Sequence, residues 1–292
     1  MQWLSSKRLA PVLFLLPALL FAVVFFILPI GYSLFISFTK WDSLTPPEWY
    51  GVTNYVYLLT RDPQFYRTLL NTFVFAIGTV GIGVPIALVV AYAFSQSRFQ
   101  VMWRSIYWLP MVTNIVAVAF IWKFILADAY GLLNRLLELV GLPQPPWLTS
   151  PSLSMFSVIM VFVWMQLGHN MLLISAGLNS IDESYYEAAR IDGANSGHIF
   201  FKITLPLLRP TLLFVLITNF ITGISYFALM MVMTEGGPAG STNVTSLLMY
   251  NMAFSDLRLG RASAAAYILF VLIFIVTLIQ LRIFRRGGVE QY

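Results

Sequence analysis

The chain has no cysteine and only two histidines, His169 and His198. Disulfides, thiol chemistry and cysteine-ligated metals are thereby excluded. A zinc site is not expected either, for want of nitrogen ligands. Charge is also scarce. Only 10% of the 292 residues are Asp, Glu, Lys or Arg, where a soluble domain carries about 25%. No Gly-Lys pair precedes a Ser or Thr, so the phosphate-cradling loop of an ATPase is missing. The long apolar runs have no Asp, Glu, Lys or Arg in their interiors, and His169 is the only histidine there. Ion-coupled carriers usually place such a group at membrane depth. No internal repeat or low-complexity stretch stands out.

What is present is apolar: 59% of residues are hydrophobic, and the mean hydropathy is +0.80. Six runs stand out, at 11–38, 72–96, 106–122, 152–180, 210–234 and 262–281. Roughly 20 apolar residues cross a bilayer as a helix. Lipid cannot satisfy free backbone groups, so each run is expected to be helical. The expectation is an all-α membrane protein, one transmembrane domain over 1–292 with six spans. The first run is too long for a cleaved signal and reads as a retained span. Gly78, Gly81 and Gly83 suit close helix packing in the second.

Orientation follows from the basic residues. With a cytoplasmic N-terminus, ten of the seventeen Lys and Arg face inward, among them Lys7, Arg8, Arg98 and the cluster Arg282, Arg285 and Arg286. That favours both termini inside. It also explains the net charge of +5 without invoking nucleic acid. Three segments, about 39–71, 123–151 and 235–261, then face outward. Tyr55, Tyr57, Leu58, Leu59, Phe65 and Tyr66 give the first apolar anchors, and Gly236-Gly237-Pro238 marks a turn in the third. Trp103, Tyr107 and Trp108 fit an interfacial aromatic belt.

Between the fourth and fifth runs lies the main polar interruption, 182–206. Asp182, Glu183, Glu187 and Asp192 are four of the twelve acids. Ser184 and Glu187 have capping-box spacing, predicting a short helix through Ala188, Ala189 and Arg190. Gly193 ends it, Asn195 or Ser196 caps a second helix, and Pro206 stops that one. Two readings stand side by side. The segment is a capped connector, or it is a docking element whose Glu187 accepts a partner's arginine.

Here the residues carry a resemblance. Glu187-Ala188-Ala189, Gly193, Ile203 and Leu205-Pro206 resemble the signature loop of permease subunits in binding-protein-dependent ATP-binding-cassette importers. Asn54-Tyr55, Asp62-Pro63, Pro110, Trp122, Gly131-Leu132-Leu133-Asn134, Ala176-Gly177-Leu178 and Asp192-Gly193-Ala194 resemble the carbohydrate-uptake group. Thr234-Glu235-Gly236-Gly237-Pro238 and Ser241-Thr242 are similar to the maltose and glycerol-3-phosphate type of first permease. The resemblance implies a non-enzymatic permease that moves a sugar, polyol or oligosaccharide across a bacterial or archaeal cytoplasmic membrane. It implies a second homologous permease, two ATPase subunits or a homodimer of them, an extracytoplasmic binding protein and surrounding lipid as partners. ATP and Mg would be held by the ATPases, with no cofactor in this chain. Glu187, Ala188, Ala189, Asp192, Gly193 and Ala194 would form a cytoplasmic coupling helix seated in an ATPase. The outward loops would meet the binding protein, with Gly236-Gly237-Pro238 and the loop around Trp147 as candidates; the alternative is simple turn structure, which suits Pro238 better.

Polar residues at membrane depth point to a cavity or to interhelical bonds. Gln166, His169 and Asn170 in the fourth run, and Asn219, Thr222, Ser225 and Tyr226 in the fifth, are the substrate-path candidates. Asn219, Thr222 and Tyr226 have one-face helical spacing. Thr113 and Asn114 fit the interhelical reading better, and His169 reads as a core histidine rather than a proton relay. The alternative for the whole chain is a stand-alone secondary transporter or channel for a small polar solute. A membrane-embedded enzyme would need clustered acids, bases or metal ligands at one depth, which the sequence does not offer.

Overall fold

A computed structural model describes residues 9–95, 97 and 99–285. The flanking charges Lys7, Arg8, Arg98 and Arg286 lie outside the described residues. α1 (Leu9–Ala22) passes through a π turn, Val23–Ile27, into α2 (Leu28–Ser37). A two-residue pair, β1 (Thr39–Lys40) and β2 (Glu48–Trp49), precedes α3 (Thr53–Thr60) and α4 (Pro63–Ser95). Then come α5 (Gln100–Val112), α6 (Ile115–Ile125), α7 (Leu132–Leu139), α8 (Ser154–Asn179) and α9 (Glu183–Ile191). α10 (Ser196–Ile199) runs through a second π turn, Phe200–Thr204, into α11 (Leu205–Leu207). α12 (Arg209–Ser225), α13 (Ala228–Met233), α14 (Thr245–Phe254) and α15 (Leu259–Arg285) complete the described chain. Among the described residues, four helices are long and apolar enough to cross a membrane: Val12–Ser37, Pro63–Ser95, Ser154–Asn179 and Leu259–Ile283. The number rises to six if two bent pairs each count as one span.

Those bends interrupt two of the expected runs. The third run is not one helix: Met102–Val112 and Ile115–Ile125 meet at 95°. Asn114 causes the restart. Its Oδ1 accepts from the N–H of Val116 at 2.9 Å and of Ala117 at 3.3 Å, an N-cap in mid-run. The fifth run is likewise interrupted, because Tyr226 is extended (φ −88°, ψ 135°) between α12 and α13. Nor does Pro206 stop its helix. It sits in the first turn of α11, where a proline is tolerated, and the chain bends by 66° only beyond Leu207. The π turn makes this possible. Leu205 N–H bonds to Phe200 O, five residues back, just before the proline. Leu28, before Pro29, bonds to Val23 O in the same way. A proline ring clashes with the carbonyl four residues back, and a widened turn there relieves the clash without ending the helix.

The described chain forms two compact units. One comprises the residues up to Pro63 with Met249–Phe270. In it, Thr39 pairs antiparallel with Trp49 and Lys40 with Glu48. Buried Asn54 pins the hairpin to the end of α2, its Nδ2 donating to Ser37 O (2.9 Å) and Thr39 O (2.8 Å). Tyr267 OH donates to Ile30 O at 2.5 Å, tying α15 to α2. The Asp42 carboxylate accepts from Thr45 N–H, Thr45 Oγ1 and Leu44 N–H, which holds it below the usual carboxylate range.

The other unit, Gln64–Leu248 with the described residues from Val271, is organised around α8. Two-thirds of the most apolar window of α8 is buried, so this helix is core rather than lipid-facing surface. Its first half packs Val158, Phe162 and Met165 against Phe75, Val118, Leu229 and Met230. Its second half packs Met171, Ile174 and Leu178 against Val84, Ala87, Leu208 and Val215. Gly168 lets α5 cross at backbone contact, since a Cβ there would lie 2.0 Å from Tyr107 O. That is the close approach small residues permit between membrane helices.

Candidate functional site

The polar interruption folds as an elbow. Its first helix, α9, is capped by Asp182, whose carboxylate accepts from Ser184 N–H at 2.8 Å. The expected capping box is therefore corrected. Ser184 lies inside a helix that starts at Glu183, so it has helical geometry and cannot be the cap. Hydrogen bonds from the Ser184 side chain and N–H hold the Asp182 carboxyl below its ordinary pKa. Glu183 in the first turn and Arg190 in the last complement the helix dipole. Their ion pair (3.4 Å) joins two side chains more than half exposed, so it adds little.

Gly193 ends α9 as expected, and the geometry is specific. Its φ is +78°. Its N–H bonds to Arg190 O (3.1 Å), and Ala194 N–H to Ala189 O (2.9 Å), which is a Schellman ending. Asn195 then caps α10, accepting from His198 N–H at 2.8 Å. Ala189 and Ile199 are buried and anchor the elbow. The Tyr92 and Phe200 rings meet edge to face at 4.7 Å and hold it to the end of α4.

The opposite face is open. Glu187, Ala188 and Asp192 are exposed, and among the described residues no hydrogen bond or ion pair engages the Glu187 carboxylate. Ile191 is 85% exposed, one turn from Glu187 and on its side of the helix. Phe201 is 66% exposed. Ala189, Asp192, Gly193, Ala194, Asn195, His198 and Ile203 line a concavity of about 390 Å³. The sequence reading named the carboxylates and small residues but assigned no role to Ile191 or Phe201. The signal was there: a bulky aliphatic at i+4 from Glu187, on a helix whose buried stripe is made by Ala189. The elbow thus offers a carboxylate, a flat alanine and an aliphatic side chain in one patch.

The substrate-path candidates are not brought together as one cluster. Asn170 and Asn219 form a reciprocal amide pair between α8 and α12, at 2.9 and 2.7 Å. Asn219 Nδ2 also donates to Val215 O at 2.8 Å. Both residues are buried, so interhelical bonding occupies them. Thr222 donates back to Thr218 O within its own helix. Tyr226 leaves the face expected for it because the helix ends at Ser225. Its ring packs on Phe162 at 4.7 Å, and its hydroxyl points to Met165 Sδ at 3.9 Å. Gln166 and His169 are half-buried, and Ser225 is exposed.

A family model for the inner-membrane component of binding-protein-dependent transport systems matches residues 83–287. The chain belongs to that family. Among its relatives, the probable ABC transporter permease protein YesP of Bacillus subtilis is 35% identical, over 94% of this chain and 90% of the relative. The lactose transport system permease protein LacF of Rhizobium radiobacter is 32% identical, over 92% and 91%. A crystal structure of a bacterial ABC transporter that imports the acidic polysaccharide alginate contains a chain of the same fold. That match has a TM-score of 0.85 at 24% identity and covers 98% of this chain and 99% of the other. The protein is thus a multi-pass membrane permease, a transport component rather than an enzyme.

Proposed function

We propose that this chain is one permease subunit of an ATP-driven importer of a sugar or related polyol or oligosaccharide. In this reading it works in the cytoplasmic membrane of a bacterium or archaeon. It has six spans over a single domain, counting each bent pair once, and both termini are cytoplasmic. It pairs with a second permease in lipid and receives substrate from an extracytoplasmic binding protein. The elbow 182–206 is the coupling helix, docking on one of two ATPase subunits that hold ATP and Mg. Glu187, Ala188, Ala189, Asp192, Gly193 and Ala194 make that contact, and Ile191 adds apolar area to it. Gln166, His169, Thr222 and Ser225 retain polar groups for the pathway, while Asn170, Asn219 and Tyr226 shape it from within the helix packing. Relatives named for lactose, arabinooligosaccharide and trehalose/maltose transport support the substrate class.

The observation that carries the reading is the open patch on α9. A rigidly capped helix exposes an unengaged carboxylate beside an 85% exposed isoleucine, and such a surface is built for a partner. Glu187→Lys tests it. The variant should insert and reach the membrane normally, yet copurify poorly with the ATPase and lose binding-protein-stimulated hydrolysis. Normal copurification together with normal stimulation would overturn the docking role.

A further inference from the structure

A cavity of about 300 Å³ lies within the unit formed by the residues up to Pro63 and Met249–Phe270. Lys40, Arg258 and Arg261 contribute to its wall, with Trp41 and Tyr50 beside them. Close contacts fix its framework. Gly260 seats the start of α15 against the hairpin, since a Cβ there would lie 2.0 Å from Thr39 O. Buried Asn54 holds that same carbonyl. The Arg261 guanidinium lies over the Tyr57 ring, 3.8 Å from its centroid. Trp41 Nε1 donates to Thr45 O at 2.8 Å.

The charges around the cavity do not cancel. Asp42 and Glu48 also line it, so three cations stand with two carboxylates. Asp42 Oδ1 is already shared by Leu44 N–H, Thr45 N–H and Thr45 Oγ1. Glu48 stands opposite Lys40 in the strand register. Yet among the described residues no carboxylate lies within ion-pairing distance of Lys40, Arg258 or Arg261. The surplus of one positive charge matches the single negative charge of a phosphodiester.

The depth of the cavity selects its ligand. Residues 39–50 follow directly on the apolar helix Val12–Ser37, and Arg258 and Arg261 stand at the start of the apolar helix Leu259–Ile283. Both helices are long and apolar enough to span a bilayer. Their joined ends therefore put the cavity at the edge of the hydrocarbon layer, where phospholipid headgroups lie. Tyr32, Trp49 and Tyr50 are exposed in this region, as aromatics at a membrane interface are. On α2, Ile30 and Leu34 are also exposed and offer apolar surface to acyl chains.

We propose that this cavity binds the headgroup phosphate of a phospholipid, with Lys40, Arg258 and Arg261 as its cationic ligands. The bound lipid bridges the end of α2 and the start of α15. Arginine suits the role, because its planar fork matches phosphate oxygens and stays charged. The site requires only that the chain crosses a membrane, and it stands whether or not the cargo is a sugar.

The test uses the permease purified with its partner subunits in mixed detergent micelles. The readout is the mole fraction of dioctanoyl phosphatidylglycerol that gives half-maximal thermal stabilisation. The double variant Lys40→Gln, Arg258→Gln should raise that fraction about tenfold or more. Arg135→Gln removes an exposed cation paired with Glu138 at 2.7 Å and should leave it within about twofold. Dioctanoylglycerol, which has the same chains and no phosphate, should stabilise far less, and so should inorganic phosphate. Equal behaviour of the double variant and Arg135→Gln would overturn the site. Equal stabilisation by dioctanoylglycerol would overturn the role of the phosphate, and equal stabilisation by inorganic phosphate would overturn the lipid as occupant. A second measurement needs no change to the permease. A phosphatidylethanolamine with a photoreactive headgroup should label the wild-type chain within 39–50 or 257–261, and excess phosphatidylglycerol should suppress that labelling. Labelling confined to other segments would overturn the proposal.

Discussion

Gly193 separates two reasons for a glycine in the elbow, and they predict opposite orders of damage. Its φ of +78° lies in the left-handed region, and an added Cβ would meet nothing within 4 Å. Within the permease the cost of a side chain is therefore conformational, not steric. A non-glycine residue there costs about 1–2 kcal/mol, and asparagine costs less than alanine because its side chain tolerates this conformation. That energy corresponds to about a five- to thirtyfold change in a local opening equilibrium. Hydrogen exchange on the amides of residues 193 and 194, which bond to Arg190 O and Ala189 O, reads that opening directly. In the permease freed of ATPase, Gly193→Ala should exchange faster than Gly193→Asn, and both faster than wild type. In the assembled complex the order should invert for ATPase stimulation, because asparagine is the larger intruder into a close protein contact. An unchanged exchange rate in Gly193→Ala would refute the conformational argument. Stimulation that tracks exchange in the same order would refute the close contact.

The Asn170–Asn219 pair should behave as a unit. Asn170→Leu or Asn219→Leu alone strands a buried amide and should cost about 1–3 kcal/mol. The double variant should cost less than the two added, since an interhelical bond in a membrane protein averages only about 0.6 kcal/mol. Thermal unfolding of the detergent-solubilised complex checks this, and additive losses would count against the pairing. Asp182 makes a prediction about pH. Its folded carboxyl is depressed by Ser184, so its capping contribution is fully present above the ordinary carboxylate pKa of about 3.9. It is lost as pH falls through the lower folded value. Protection of the Ser184 amide should therefore be flat through the neutral range, abolished at pH 7 by Asp182→Ala, and retained by Asp182→Asn, which caps as well.

The helical class, the long second, fourth and sixth runs and the elbow were legible because hydropathy and capping residues act locally. The start of α4 at Pro63 rather than at residue 72 was missed because its first turns carry Gln64, Arg67 and Thr68 and lie before the uncharged apolar run. The breaks at Thr113-Asn114 and at Tyr226 were missed for a different reason. Both lie in runs without a charged residue, and the terminating groups are uncharged. Asn114 could have signalled its break, since an asparagine followed by Ile115 and Val116 is an N-cap pattern, but hydropathy alone averages over it. Tyr226 offers no such local signal. Its extended backbone accompanies the packing of its ring on Phe162, a contact between residues 64 positions apart. The cap assignment failed by two residues because Asp182 and Ser184 are both good caps, and only the start of the helix distinguishes them.

The two π turns bear on how the elbow can act. A proline at 206 read as a stop would uncouple the elbow from the fifth span by a flexible joint. Instead the Phe200–Thr204 turn continues the helix through Pro206, and the one sharp change of direction, 66°, falls beyond Leu207. Leu208 at that bend is only 1% exposed and packs with Val215, Ile174 and Leu178. The bend is therefore clamped by core side chains rather than hinged in solvent. Displacement of α9 and α10 by a docked partner would reach α12 through a buried corner. α12 is in turn fastened to α8 by Asn219 and Asn170. In the importer reading this makes α8 and α12, rather than the elbow alone, the pair that must move for the pathway to open.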